Sequence, residues 1–276
     1  MDIAHLQSWI GREACDSERL SARKVAEFNA TFDRSSGLAE GDAAPLLIHL
    51  SLAQPVAPMA ALGRDGHPAL GGFLPPVPLP RRMWAGGAFT FHAPIRIGET
   101  VRRHSVIADV ALKQGRSGAL CFVTVEHEIS AGGRRVVSER QDLVYRDVAR
   151  GGPPGGAGAP AEQGGHGRRV VPHPTLLFRY SALTFNGHRI HYDRQFCTKT
   201  EGYPGLVVHG PLQATLLCQM AEEIAGRAPA RFAFRSLSPL FDDAAFSLHA
   251  QEDGEALRLW TARDGGPVAM KAEACW

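Results

Sequence analysis

Within fifteen positions, from Tyr180 to Arg194, the chain gathers Tyr180, Asn186, His188, Arg189, His191, Tyr192, Asp193 and Arg194. A Gly-Leu-Val-Val-His-Gly-Pro run, Gly205 to Pro211, follows and leads into an apolar helical pattern. An imidazole, with an ordinary pKa of about 6.5, exchanges a proton near neutrality. A carboxamide orients water but cannot take its proton. A helix N-terminus offers N–H groups and the positive end of its dipole to a developing negative charge. Side chains that hold and move a proton, set just before such a terminus, point to chemistry on a carbonyl compound.

The elements around this stretch can be read from periodicity. Gly210 and Pro211 mark a helix start, Leu217, Met220, Ala221 and Ile224 recur at helical spacing, and Gly226 stops the helix. Strands are predicted at 230–237, 244–251, 255–263 and 267–275, the last two joined at Asp264-Gly265-Gly266. The first half has the same organisation. Strands begin near Phe89 and Glu99, with a turn at 114–118. Cys121, Val123, Val125 and Ile129 alternate with Thr124, Glu126 and Glu128, and Ala131-Gly132-Gly133 turns into a return strand over 134–148. These four strands read as a hairpin meander. Residues 1–35 read as helical, 43–53 as a short or degraded copy of the later helix, and 55–80, rich in Gly and Pro, as extended loop. The GGPPGGAGAPAEQGGHG stretch cannot build a core. The organisation is therefore an N-terminal half over residues 1–150, a flexible linker over 151–167, and a C-terminal half over 168–276 that carries the chemistry.

Composition excludes several classes. A hydrophobic content of 44% and a net charge of +2 describe an ordinary globular chain, with no case for nucleic acid. No apolar run approaches the roughly 18 residues of a membrane span, and the N-terminus does not read as a targeting peptide. Five scattered cysteines without a CxxC suggest reduced thiols in the cytoplasm. His188-x-x-His191 followed by Cys197 lacks a fourth ligand of usual spacing, so no metal is expected. An exposed sheet edge would favour pairing of two copies into a homodimer.

Helix-plus-antiparallel-sheet units used twice resemble the double hotdog fold, in the α+β class. FRYSALTFNGHRIHYD at 178–193 and EGYPGLVVHGPLQATLL at 201–217 resemble the MaoC-like (R)-specific enoyl-thioester hydratases. Their branch of mesaconyl-C4-CoA and itaconyl-CoA hydratases and mitochondrial-type 3-hydroxyacyl-thioester dehydratases is the most similar. GGFLPPVPLPRRMWAGG at 71–87 and GRSGALCFVTVEHEI at 115–129 are similar to the N-terminal half of that branch. The broader family carries Asp-x-Asn-Pro-(Leu/Ile)-His, whose Asp and His hold the reacting water. With His191 matched to that His, Asn186 stands in the place of the Asp and His188 in that of the Asn.

The resemblance implies addition or removal of water across the C2=C3 bond of an acyl-CoA, with the thioester as substrate and no further cofactor. His191 would be the base, Asn186 would steady the water, and His188 would orient Asn186. The Gly210 N–H would receive the enolate oxygen, since Pro211 has none to give. Protonated His191 could then return its proton to C2 on the same face. Arg81, Arg82, Arg189 and Arg194 could pair with a distal substrate carboxylate, which motivates a short dicarboxylic acyl-CoA. Tyr180 and His209 complete the candidate substrate-binding set, His209 as support for the Gly210 turn. A thioesterase, with Gln213 at the helix start, and a non-catalytic acyl-thioester binder are the competing readings.

Overall fold

The structure, a computed structural model, describes residues 1–115, 118–147 and 158–276. Its strands are β1 (Glu13–Arg19), β2 (Arg81–Phe91), β3 (Thr100–Gly115), β4 (Gly118–Ala131) and β5 (Arg134–Arg146), then β6 (His166–Val170), β7 (Arg231–Ser236), β8 (Phe246–Asp253), β9 (Ala256–Arg263) and β10 (Val268–Cys275). The α-helices are α1 (Ile3–Gln7), α2 (Ala22–Thr31), α3 (Pro174–Leu183) and α4 (Gly210–Ala225). All ten strands join one sheet in the order β1-β3-β4-β5-β2-β7-β10-β9-β8-β6. Read inward from its two edges, one pattern occurs twice, and the copies meet where β2 pairs antiparallel with β7 from Gly86↔Arg235 to Thr90↔Arg231.

The alternation in β4 has its cause in this packing. Cys121, Val123, Val125 and Ile129 are buried while Glu126 and Glu128 face water, as a sheet with one covered face requires. Gly132 and Gly133 take positive φ at the β4–β5 turn. α4 buries Leu212, Leu217, Cys218, Met220 and Ala221 against the sheet and ends at Gly226 with φ of 69°. These residues share one core with Leu50, Leu52 and Phe89 of the first half and Phe232 of the second. A smaller core of Leu6, Val77, Ile107, Val125 and Tyr145 lies where α1 and the proline-rich loop near Val77 cover the outer reach of β3–β5.

Several expectations need correction. Residues 13–19 are a strand, not helix: Glu-Ala-Cys-Asp-Ser-Glu-Arg carries almost no apolar signal because β1 is an exposed edge pairing only with β3. The first-half strands are not a four-strand meander. Only β3-β4-β5 is one, and β2 crosses to the far side of β5, where it can join the halves. β2 also starts at Arg81 rather than near Phe89. The region 43–53 holds only a 3-10 turn at Ile48–Ser51, the shortened helix expected there. Residues 151–157 of the expected linker, and 116–117 of the expected turn, lie outside the described residues; β6 begins at His166, inside the linker's expected end.

Candidate active site

α3 delivers the polar cluster. The helix closes where Asn186 N donates to Ser181 O at 2.8 Å, with Phe185 at φ 49° turning the chain. Asn186 Oδ1 then accepts the His188 N–H at 3.0 Å, which sets up the 3-10 turn Arg189–His191. His191 Nδ1 lies 2.7 Å from the Val207 carbonyl oxygen. A carbonyl only accepts, so Nδ1 carries the proton and Nε2 keeps its lone pair. The ring of His191 stacks on that of His209, centroids 3.6 Å apart and planes 17° from parallel. His209 directly precedes α4, so the stack holds the His191 ring beside the residue that leads into the helix. Its own Nε2 is fixed 2.8 Å from Ser181 Oγ.

Gly210 opens α4, and among the described residues its N–H meets no hydrogen-bond acceptor. A helical residue before proline normally suffers from its own Cβ; glycine at 210 lets the helix start directly on Pro211. Through the stack on His209, the His191 imidazole is tied to the residue that precedes Gly210 and its N–H.

The first half adds groups that the sequence did not single out. The loop Gly63-Arg64-Asp65-Gly66-His67 packs against the segment after α3. Arg189 N donates to Asp65 O at 2.9 Å, and Arg189 Nη1 donates to Arg64 O at 3.2 Å. Gly66 has φ of 88°, and a Cβ there would lie 2.0 Å from Gly187 O; the two backbones touch only because both residues are glycine. Asp65 holds His67 at two points, Oδ1 to the backbone N at 3.1 Å and Oδ2 to Nδ1 at 2.8 Å. The His67 ring lies 4.1 Å from that of His188, which meets His191 edge-on at 5.4 Å. The only signal available in sequence was an Asp and a His two apart in a glycine-rich loop.

Electrostatics keep these rings neutral. Burial lowers the pKa of His191 to about 3, against the opposing hydrogen bond to Val207. Burial, and then the charge of Arg82, lower His67 to about 4, against Asp65. His188 and His209 are held well below the usual histidine range, chiefly by burial. For Asp65 burial works upward, but the hydrogen bond and charge of His67 outweigh it and bring the group to about 2. At neutral pH the site therefore holds neutral imidazoles, one anion bound to His67, and the Arg82 cation.

The remaining candidates fall elsewhere. Arg81 is bound by Glu201 (Nε–Oε2 3.1 Å), Arg189 by Asp193 (Nη2–Oδ2 2.7 Å) and Arg194 by Asp242. These three guanidiniums are held by protein carboxylates. Tyr180 is buried edge-on to His209, which is itself 0% exposed and stacks on His191; both are too deeply buried to present a surface to a substrate. Gln213 is buried and accepts from Thr261 Oγ1 at 2.7 Å, which takes away the group a thioesterase would use. Cys197 Sγ donates to Gly205 O at 2.9 Å, and burial first of all raises its thiol to about 11. Donor atoms of Asp65, His67 and His188 lie within 4.8 Å of one another, but Asp65 is committed to His67 and the Arg82 charge beside them opposes a second cation.

A family model for hydroxyacyl-thioester dehydratase type 2 matches residues 47–242. A mesaconyl-C(4)-CoA hydratase of Chloroflexus aurantiacus is 44% identical over 277 residues, covering 99% of this chain and 98% of its own. The mitochondrial hydroxyacyl-thioester dehydratase type 2 of Schizosaccharomyces pombe is 28% identical over 240 residues, 75% of this chain and 76% of its own. Among solved structures, a MaoC-like dehydratase from Phytophthora capsici superposes with a TM-score of 0.72 at 14% identity, covering 100% of this chain and 98% of that one. A Mycobacterium tuberculosis protein described as a double hotdog fold does so with a TM-score of 0.60 at 13% identity, covering 96% of each. The fold is the double hotdog.

Proposed function

This chain belongs to the hydroxyacyl-thioester dehydratase type 2 family and is a hydro-lyase of acyl thioesters, and we propose that it hydrates a short dicarboxylic enoyl-CoA of the mesaconyl-C4-CoA class with His191 as its base. The observation that carries the assignment to His191 is its Nδ1–Val207 bond, which leaves Nε2 as an acceptor beside the start of α4. The substrate class comes from the 44% identical relative.

In the proposed reaction, His191 Nε2 takes a proton from water as the oxygen attacks C3. Charge moves onto the thioester oxygen, where the Gly210 N–H and the dipole of α4 receive it. An imidazole with so low a pKa in the empty site is always available as base. The growing enolate then favours its protonated form, because an adjacent negative charge raises the pKa of a histidine. The imidazolium returns the proton to C2, a syn addition, and dehydration reverses the steps. Asn186 has committed Oδ1 to the His188 N–H, so only its NH2 remains to hold the water's other lone pair. His188, edge-on to His191, positions that turn. The reaction uses these groups and the CoA thioester alone, with no further cofactor.

We place the protein in the cytoplasm, where five free cysteines would stay reduced; no helix among the described residues is long and apolar enough to cross a membrane. Two copies would pair through a sheet edge, a reading that sedimentation of the purified protein checks. The decisive assay follows hydration of crotonyl-, mesaconyl-C4- and itaconyl-CoA spectrophotometrically, beside His191→Ala. Loss of about 10²–10⁴ in turnover is expected for removal of a general base; equal rates would eliminate the assignment.

A further inference from the structure

Four arginines were candidates to meet a second carboxylate on the substrate, and three already have one from the protein. Arg82 forms no ion pair within 4.0 Å among the described residues. It lies on β2 directly opposite Tyr145 of β5, and cross-strand partners project from the same face of a sheet. Tyr145 is 1% exposed; burial raises the pKa of its hydroxyl, and the charge and hydrogen bond of the neighbouring Arg82 guanidinium work the other way. The charge of Arg82 is felt at Asp65, His67, His188 and Tyr145. Both Asp65 oxygens accept from His67, and no ion pair joins this carboxylate to the guanidinium among the described residues. From the base outward the order is His191, His188, His67 and Arg82.

We propose that Arg82, with the Tyr145 hydroxyl beside it, is the subsite that takes the substrate's second carboxylate. This rests on the dicarboxylic reading above. In a mesaconyl-C4 thioester that carboxylate is carried on the carbon β to the thioester, the atom that receives the hydroxyl. It must therefore lie close to the base, and Arg82, whose charge is felt at His67 and His188, is the cation without an ion pair on that side of the cluster. A guanidinium fork also matches a carboxylate at two points, which an ammonium does not.

The test compares kcat/KM on mesaconyl-C4-CoA and on crotonyl-CoA, which lacks the carboxylate, for wild type, Arg82→Gln and Arg82→Lys. Loss of charged hydrogen bonds of this kind predicts that the mesaconyl-to-crotonyl ratio falls roughly 10- to 100-fold in Arg82→Gln. The fall should appear mainly in KM and be partly restored in Arg82→Lys. A ratio unchanged in both variants, with mesaconyl-C4-CoA still a good wild-type substrate, overturns the Arg82 assignment alone. A wild type that hydrates crotonyl-CoA and ignores mesaconyl-C4-CoA overturns the dicarboxylic reading and the subsite with it. If Arg82→Gln fails to fold, Arg82→Lys carries the comparison. Added salt then gives a third reading: wild-type KM should rise for mesaconyl-C4-CoA more than for crotonyl-CoA, and equal rises count against the subsite.

Discussion

The two halves of the sheet share one plan and spend it differently. Each runs edge strand, helix, helical segment and four strands, yet the second helical segment has 16 residues in α4 and 4 at Ile48–Ser51. The strands reverse the bias: β3, β4 and β5 have 16, 14 and 13 residues, whereas β8, β9 and β10 have 8 each. In both halves a polar side chain of the helical segment reaches into the sheet. Gln213 is met by Thr261 at 2.7 Å. His49 Nε2 stands 3.6 Å from Glu139 Oε2, longer than a good hydrogen bond, inside a buried cluster with Arg103 and His127. The long helix stands in the half that carries His191; in the other the segment has shrunk, and the chain after it becomes the loop that carries Asp65 and His67 across to the other half.

The sharpest contrast between halves is predicted for their two histidines. His191→Ala should lose turnover by about 10²–10⁴ with little change in stability beyond an ordinary core truncation. His49→Ala should do the reverse. Removing a neighbour of buried Glu139 should cost about 2–3 kcal/mol of unfolding free energy, with kcat of the folded protein retained. Urea unfolding beside the hydration assay checks both, and a dead His49→Ala enzyme of normal stability would break the division of labour. Next in size is the contact between halves. Gly66→Ala sets a Cβ 2.0 Å from Gly187 O on a positive-φ residue, which must push the Asp65–His67 loop away. A displacement of about 1 Å near a reacting centre typically costs about 10²-fold, so kcat/KM should fall by that order. Gly11→Ala, also at positive φ but with nothing within 4 Å of its Cβ, is the control that should keep its activity. Smaller still is Thr261→Val, which strands Gln213 Oε1 and should cost about 1–3 kcal/mol without affecting the His49 cluster.

The sequence spoke most clearly where one face of an element is buried and the other wet. The alternation of β4, the stripe of α4 and the glycine turns all follow from that rule, and the four final strands fall within a residue or two of their expected bounds. That the histidine turn and the start of α4 belong together was legible in part, because only 18 residues separate His191 from Gly210; the ring stack on His209 that joins them was not. What escaped depends on contacts distant in sequence. β1 is polar on both faces, so nothing in its own residues marks a strand. The place of β2 between β5 and β7 is a choice of partner, invisible in a local window. Asp65 and His67 join the site only because two glycines 121 positions apart in the chain, Gly66 and Gly187, allow backbone contact. The arginines show the same limit: Arg81 and Arg82 are neighbours in sequence, and only packing against Glu201 separates a structural ion pair from an unpaired cation.

A further effect is one that both halves share, and it concerns acid. His191 and His67 at the site, and His127 in the first-half cluster, have folded pKa values brought down to about 3, 4 and 4, in each case by burial above all. A histidine whose folded pKa lies below its unfolded value of about 6.5 binds its proton more readily in the unfolded chain. Stability therefore rises with pH through that interval and is lost as pH falls from about 6.5 toward 4. Glu139 acts in a lower window. Burial raises its pKa, but His127, His49 and Arg103 outweigh that and bring it to about 2, so its contribution is lost only below about 4.5. Between these limits each buried histidine adds at most about 1.4 kcal/mol per pH unit. Replacing His127 by Gln should flatten the dependence by up to one proton while leaving the site's share in place. Unfolding midpoints in urea at about pH 7, 6 and 5, wild type beside His127→Gln, measure the slope directly. Equal slopes would mean that His127 takes up its proton without unfolding, and that the acid sensitivity belongs to the histidines around His191 alone.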